Sequence, residues 1–345
     1  MSNNLKPERM WLYDNVKAFL ILLVVIGHMF TDYVGDSYAI RMSTLWIYTF
    51  HMPAFVFISG LLHKKYKEDA KLRWDKVWGF LACGIVLRYF NFFVRILMGD
   101  HPRPHIIYEA GIPWYLIVMA EYEVFFYLIR RLDAKKVIAV SIVASMICGY
   151  FPMINDNFCL ARFVNFMPFY AAGYYADPKK VREFASAKRL KIISWIIIAV
   201  TFAGSFFLPW KFYKYRKFFT GRRSYEFLSD LLDFSHGYEL CWLVRLGVIL
   251  FSAILIIAVL GIIPDRNLGF CTTVGSRTLN IYFWHRIICY AFTYYGLYEL
   301  INSEIVYTLI GLAMTALLAL PIFGHPAKDI MSGIKKGLQS KQKSV

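Results

Sequence analysis

An ammonium and an imidazole share one apolar helix near the start of the chain, in the run Asp14-Asn15-Val16-Lys17-Ala18-Phe19-Leu20-Ile21-Leu22-Leu23-Val24-Val25-Ile26-Gly27-His28. At about 100° per residue, the step from Lys17 to His28 returns to within about 20° of its start and rises about 16 Å. Both groups therefore lie on one face. If Lys17 sits at a headgroup layer, His28 lies near the bilayer centre, where an ionisable group is costly enough to be a functional candidate. A neutral imidazole there suits general-base chemistry: it takes the proton of a hydroxyl while that hydroxyl attacks an electrophile. Lys17 suits an anion such as a phosphate, and Asp14, about four turns below His28, either holds Lys17 or meets the same ligand.

Further polar groups interrupt later apolar runs. Pro53, in Phe50-His51-Met52-Pro53, removes a backbone donor and kinks its helix near His51. His51 then either faces a chamber shared with His28 or donates to a carbonyl freed at the kink. Arg88 lies near mid-depth, and Glu121 is the carboxylate best placed for it. The two form a structural ion pair, or either is active. Tyr282 and His285, at i and i+3, point in one direction. Arg245, Arg286 and Glu239 receive no specific role and are expected to pack or snorkel.

The elements that position these groups follow from composition. With 58% hydrophobic and 18% aromatic residues over 345 positions, the chain exceeds what a soluble domain could bury, and the reading is an all-α, polytopic membrane helical bundle. Ten apolar runs of spanning character are expected near 11–30, 43–62, 77–98, 113–130, 137–153, 160–176, 191–209, 239–262, 278–298 and 303–323. The first is read as a permanent helix rather than a cleaved signal, since it carries Asp14, Lys17 and His28 without a small-residue cleavage pattern. Lys and Arg concentrate in alternate connections, around 64–76, 130–136, 179–191 and 335–343, which places both termini in the cytoplasm and agrees with an even number of spans. The expected organisation is an N-terminal cytoplasmic segment 1–10, a transmembrane domain 11–324 and a basic cytoplasmic tail 325–345.

The net charge of +16 mostly reflects this sidedness and gives no argument for nucleic acid. The six cysteines are scattered, without a CxxC pair or metal spacing, and no metal is expected. Gly-rich phosphate loops, zinc or serine-hydrolase signatures and sequence repeats are not found. One segment on the expected outer side, 210–238, is strongly basic and aromatic, with Lys211, Lys214, Arg216, Lys217, Arg222 and Arg223 among Trp210, Phe212, Tyr213, Tyr215, Phe218 and Phe219. It reads either as an interfacial stretch on lipid headgroups or as a dock for an acceptor.

Several motifs, in order along the chain, resemble the acyltransferase 3 family, and most closely its fucose 4-O-acetylase-like branch. They are Asp14-x-x-Lys17 with His28, Phe50-His51-Met52-Pro53-x-Phe55-x-Phe57-x-Ser59-Gly60, Pro113-Trp114-Tyr115-Leu116, Met167-Pro168-Phe169-x-x-x-Gly173-Tyr174 and Ile281-Tyr282-x-x-His285. The resemblance implies a plasma-membrane enzyme that takes an acyl group, usually acetyl, from cytoplasmic acetyl-CoA and delivers it to a hydroxyl of an outward-facing glycan or lipid-linked sugar. The family's basic residue and histidine of the first helix fall on Lys17 and His28. Many members carry Arg at the former position, so any phosphate contact here would be a point-charge contact.

The expected catalytic set is His28, Tyr282 and His285; Lys17, Asp14 and Arg88 are expected on the acyl-CoA, and His51, Trp114 and Glu121 on the acceptor. The oxyanion donor is left open among Tyr282, His51, Asn280 and Arg88, as is a ping-pong route through acylated His28. Two departures stand out. The glutamate that some members place five residues after the tryptophan is Met119 here, with Glu121 and Glu123 nearby, and the extra esterase-like domain of some members is not expected. A secondary transporter or flippase is the alternative, because it too places polar residues at mid-depth on broken helices.

Overall fold

The computed structural model describes residues 9–33, 37–102, 111–232, 237–301 and 303–343. Most of the expected N-terminal segment 1–10, and residues 233–236 of the basic segment, lie outside the described residues. Among the described residues the chain is helical, with no strand. The helices are α1 (Trp11–Asp32), α2 (Tyr38–Tyr48), α3 (His51–Leu62), α4 (Trp74–Leu97), α5 (Trp114–Leu128), α6 (Ala134–Cys148), α7 (Leu160–Tyr175), α8 (Pro178–Ala185) and α9 (Lys188–Ser205). After a 3-10 segment at Trp210–Tyr215 come α10 (Arg216–Phe219), α11 (Tyr225–Leu232), α12 (Cys241–Ile262), α13 (Phe270–Ser276), α14 (Thr278–Tyr294), α15 (Leu297–Leu300), α16 (Glu304–Leu318) and α17 (Pro326–Lys343).

Each of the ten apolar runs coincides with helix, the second with both α2 and α3. By length and composition, four helical stretches could cross a membrane unaided, and a fifth if α9 is counted with the segment that follows it. Large apolar side chains lie exposed along α4, α9, α12 and α16, among them Ile85, Phe93, Ile193, Ile196, Leu250, Ile254, Ile305 and Leu309. Such belts have no place in water and mark a membrane protein.

α1 is the hub. It packs against α2, α3, α13, α14 and α16, and 72% of its apolar stretch is buried, against 22% for the peripheral α4. Its Lys17 end is fixed by groups from distant connections rather than by a local cap. The Leu12 N–H donates to Asp265 (2.9 Å), and Asp265 also pairs with Arg182. The Asn15 carboxamide donates to the carbonyls of Pro264 and Arg266 (2.8 and 2.9 Å) and accepts from Thr272 (2.7 Å). Buried Asn15 is thus satisfied by the loop before α13 and by α13 itself, which fixes the rotation of α1 about its axis.

The second apolar run breaks between Tyr48 and His51. Pro53 falls in the first turn of α3, where its missing N–H costs nothing. The carbonyls around the break find new donors: Ile47 is bonded by His51 Nδ1 (2.7 Å) and Thr49 by Ser252 (2.5 Å). α3 and α7 then run in contact through two glycines. A Cβ on Gly60 would stand 2.3 Å from the Tyr170 carbonyl oxygen, and one on Gly173 2.1 Å from that of Phe57.

The basic segment folds back. The stretch Trp210–Phe219 is bent by 115° from α9 and is clamped to α2, where Tyr38 stacks on Trp210 and the Arg41 guanidinium lies 3.8 Å from that indole. This return carries residues 219–222 over the end of α1 that bears His28.

The helix contact gives a direct test. Gly173→Ala forces backbone apart and should lower the unfolding temperature in detergent by the equivalent of about 1–3 kcal/mol, whereas Gly204→Ala, with nothing within 4 Å, should leave it unchanged. Equal behaviour of the two variants in a thermal-shift assay would contradict the close α3–α7 contact.

Candidate active site

Helical periodicity puts Lys17, Ile21, Val24, His28 and Thr31 in one stripe of α1. The stripe borders two adjoining cavities. Ile21 and Val24 line a cavity of about 180 Å³ with Met52, Phe55, Phe80, Tyr115, Leu116, Thr278, Leu279 and Tyr282, a mostly apolar wall. Val24, His28 and Thr31 line a second, of about 310 Å³, with Tyr48, His51, Trp114, Arg162, Thr220, Arg222, Arg286 and Tyr290. Val24, Met52 and Tyr282 border both cavities and form the seam between them.

His28 sits in the polar cavity, beyond the seam from Lys17. Behind it lies the fully buried His285, with ring centroids 5.3 Å apart. His285 Nδ1 faces the carbonyls of Ile281 and Tyr282 (3.2 and 2.9 Å), which can only accept, so Nδ1 carries the proton. Its Nε2 is left as an acceptor without a hydrogen-bond partner among the described residues. The same logic applies to His51: Nδ1 is spent on Ile47, and a neutral His51 offers only an acceptor to the cavity it lines. His51 thus bonds the Ile47 carbonyl and also lines the cavity that His28 lines.

The guanidiniums are held in place. Arg286 pairs with Asp32 at the end of α1 and lies 4.7 Å from the Tyr290 ring. Arg162, buried in α7, lies 4.9 Å from the Trp114 ring and 3.8 Å from Asp156. Asp156 also receives Arg222 (2.7 and 2.5 Å). Arg216 reaches the Thr31 hydroxyl (3.1 Å) and lies 5.5 Å from the Tyr48 ring. Trp114 is itself stacked on Phe166 (5.3 Å), so its faces serve protein groups.

The remaining expected residues lie elsewhere. Lys17 is ion-paired to Asp14 (2.9 Å), which also takes Arg9 (2.8 Å); this cluster lies one turn below Ile21 and the apolar cavity. Arg88 and Glu121 line neither cavity. Glu121 has a buried Oε2 with no hydrogen-bond partner among the described residues, so an Arg88 to Glu121 pair does not satisfy that atom. The neighbouring Glu123 is the satisfied one, with Arg73 at 2.6 Å, His63 at 3.3 Å and Tyr66 at 2.5 Å. In that network the Tyr66 phenol is pushed up to about 12 by burial and by its bond to Glu123. Asn280 is spent on the Leu318 carbonyl (3.1 Å), and Tyr282 donates to the Ile112 carbonyl.

Asp32, Asp156, Arg162 and Arg286 were not among the expected site residues. Arg162 and Arg286 could have been singled out, since each is a charge inside an apolar run.

A family model described as an acyltransferase domain, that of acyltransferase 3, matches residues 12–324. No curated protein and no solved structure gives a significant match.

The Asp32–Arg286 pair predicts its own energetics. Asp32→Ala alone should cost about 3 kcal/mol by leaving a guanidinium unpaired in a protected site, and Asp32→Ala with Arg286→Met should recover a large part of that loss. Additive losses in thermal or denaturant unfolding would show that the pair contributes nothing to stability.

Proposed function

Because this chain belongs to the acyltransferase 3 family, we propose that it is a plasma-membrane O-acyltransferase with about ten spans and cytoplasmic termini, moving acetyl from cytoplasmic acetyl-CoA to a hydroxyl of an extracytoplasmic glycan or lipid-linked sugar. One observation carries the reading. His28 lines a polar cavity that meets, across Val24, Met52 and Tyr282, an apolar cavity on the side of Lys17. A thin pantetheine arm suits the apolar cavity, and a sugar suits the polar one.

The anionic nucleotide of the donor stays at the Lys17 end, where Lys17 and Arg9 already share Asp14 and where the adjoining basic connections add charge. The arm runs along Ile21 and Val24 and brings the thioester past the seam to His28. The acceptor hydroxyl enters from the other cavity. His28 takes its proton as the oxygen attacks the thioester carbonyl, the C–S bond of the tetrahedral intermediate breaks, and His28 returns the proton to the departing thiolate. Direct transfer needs no acyl-enzyme.

His285 stands behind this base, ring centroids 5.3 Å apart, and its Nε2, fixed as an acceptor by the Nδ1 bonds to Ile281 and Tyr282, would support one tautomer of His28 if the two rings turned into hydrogen-bond contact. Of the four oxyanion candidates, Arg88 and Asn280 line neither cavity, and His51 in its tautomer offers no proton. Tyr282 remains, at the seam, where its phenol would turn from Ile112 to the developing oxyanion; Arg286 supplies positive charge on the same wall.

Replacement of His28 by Ala should reduce acetyl transfer by about 10²–10⁴-fold, with membrane insertion and unfolding temperature unchanged. Turnover of acetyl-CoA by the purified variant at the wild-type rate would refute the assignment.

A further inference from the structure

Three of the aromatic rings that line the polar cavity have a guanidinium beside them. Tyr48 has Arg216 at 5.5 Å, Trp114 has Arg162 at 4.9 Å and Tyr290 has Arg286 at 4.7 Å. Sugar sites that read neutral rings present aromatic faces; on Trp114 and Tyr290 the guanidiniums of Arg162 and Arg286 themselves line this cavity. Arg162, Arg222 and Arg286 line it from α7, from the returning loop and from α14, while no Asp or Glu lies among the described lining residues. The acidic partners Asp32 and Asp156 hold the guanidiniums without lining the cavity. A guanidinium fixed by a ring and a carboxylate is pre-organised, so it loses little freedom on gripping a planar or tetrahedral anion.

We propose that the acceptor is anionic, a sugar carrying a carboxylate or a phosphate close to the hydroxyl that is acylated, and that Arg162 and Arg222 recognise that anion. This deepens the acyltransferase reading and rests on it. Arg286, paired with Asp32 on the His28 wall, serves the reacting carbonyl, whereas Arg162 and Arg222, joined through Asp156, serve the acceptor. Trp114 is then a positioning residue that supports Arg162. The basic, aromatic stretch 210–222 also gains a purpose beyond lipid headgroups, because its return delivers Thr220 and Arg222 to the cavity wall.

The test uses the full chain in detergent and three probes: an oligosaccharide containing glucuronate, the same chain with its carboxyls reduced, and the reduced chain bearing a phosphomonoester. Affinities are read by calorimetry, with acetyl-CoA titrated separately. At least one anionic chain should bind about tenfold or more tightly than the neutral one, and which of the two does so distinguishes carboxylate from phosphate. The preference should shrink as salt rises and should disappear in Arg222→Gln. Should that variant fold poorly, Thr220→Glu, which adds a negative charge to the same wall, must also remove it.

Equal affinity for the neutral chain, no binding of any of the three, or an Arg222→Gln protein that loses acetyl-CoA rather than the anion preference would each overturn the proposal. Failure of acetyl-CoA to bind the wild-type protein would instead count against the acyltransferase reading, with the preference among the three chains still deciding the nature of the acceptor.

Discussion

An imidazole inside an apolar membrane helix is tolerated only where a polar cavity receives it, and it is useful only if the helix keeps it there. A rotation of α1 by one residue, about 100°, would turn His28 away from its cavity and bring an apolar neighbour in. The structure guards against that rotation at the far end of the helix. Asn15 is bonded to two carbonyls of the loop before α13 and to the Thr272 hydroxyl of α13, and Leu12 is capped by Asp265. Near the other end, Asp32 is tied to α14 through Arg286. Fixed at both ends, the stripe from Lys17 to Thr31 has one register.

The charges around His28 obey a second rule. A guanidinium buried in a membrane protein needs polar partners, a carboxylate or hydroxyls, and a surface that tolerates its weakly hydrated faces. Arg162 and Arg286 each have a carboxylate and an aromatic ring, and Arg216 has two hydroxyls and the ring of Tyr213 at 4.5 Å. Cation–ring contacts gain strength as water is excluded, which makes Tyr and Trp effective supports at this depth. The abundance of aromatic residues thus acts partly as a bed for arginines. The 115° bend after α9 allows a connection to contribute as well, folding its basic and aromatic side chains over the bundle.

How much of this could be read from the chain differs by the range of the interaction. The shared face of Lys17 and His28 is a matter of helical period and needs no tertiary knowledge; the cavities border that face. The break beside His51 follows from Pro53, although it falls between Tyr48 and His51 because proline is accommodated in the first turn of α3. Asn15 was passed over inside the very run that holds Lys17 and His28, since its partners are carbonyls about 250 positions away. Asp32 and Arg286 are separated by 254 residues and nothing local links them. For Glu121 and Glu123, two residues apart and so about 200° around the helix, depth along the chain points to Glu121 as the partner of a cation, whereas Glu123 is the one bonded to Arg73.

The seam separates two environments of different polarity. On one side of Val24, Met52 and Tyr282 the walls are apolar; on the other they carry arginines and histidines. A continuous polar path along α1 would let water and ions through the membrane, whereas a continuous apolar one would strand His28 without a polar partner. A barrier of three side chains, two of them apolar and the third with its hydroxyl engaged by a backbone carbonyl, reconciles these demands. Met52 is unbranched, the most adaptable of the three, and it stands in the first turn after the helix break. An apolar arm sliding between Met52 and Val24 replaces one set of apolar contacts with another at little cost, while a hydrated ion would lose its water without compensation. The same seam would therefore pass a thin apolar chain more readily than an ion, and the imidazole of His28 can stand beyond it without opening the membrane.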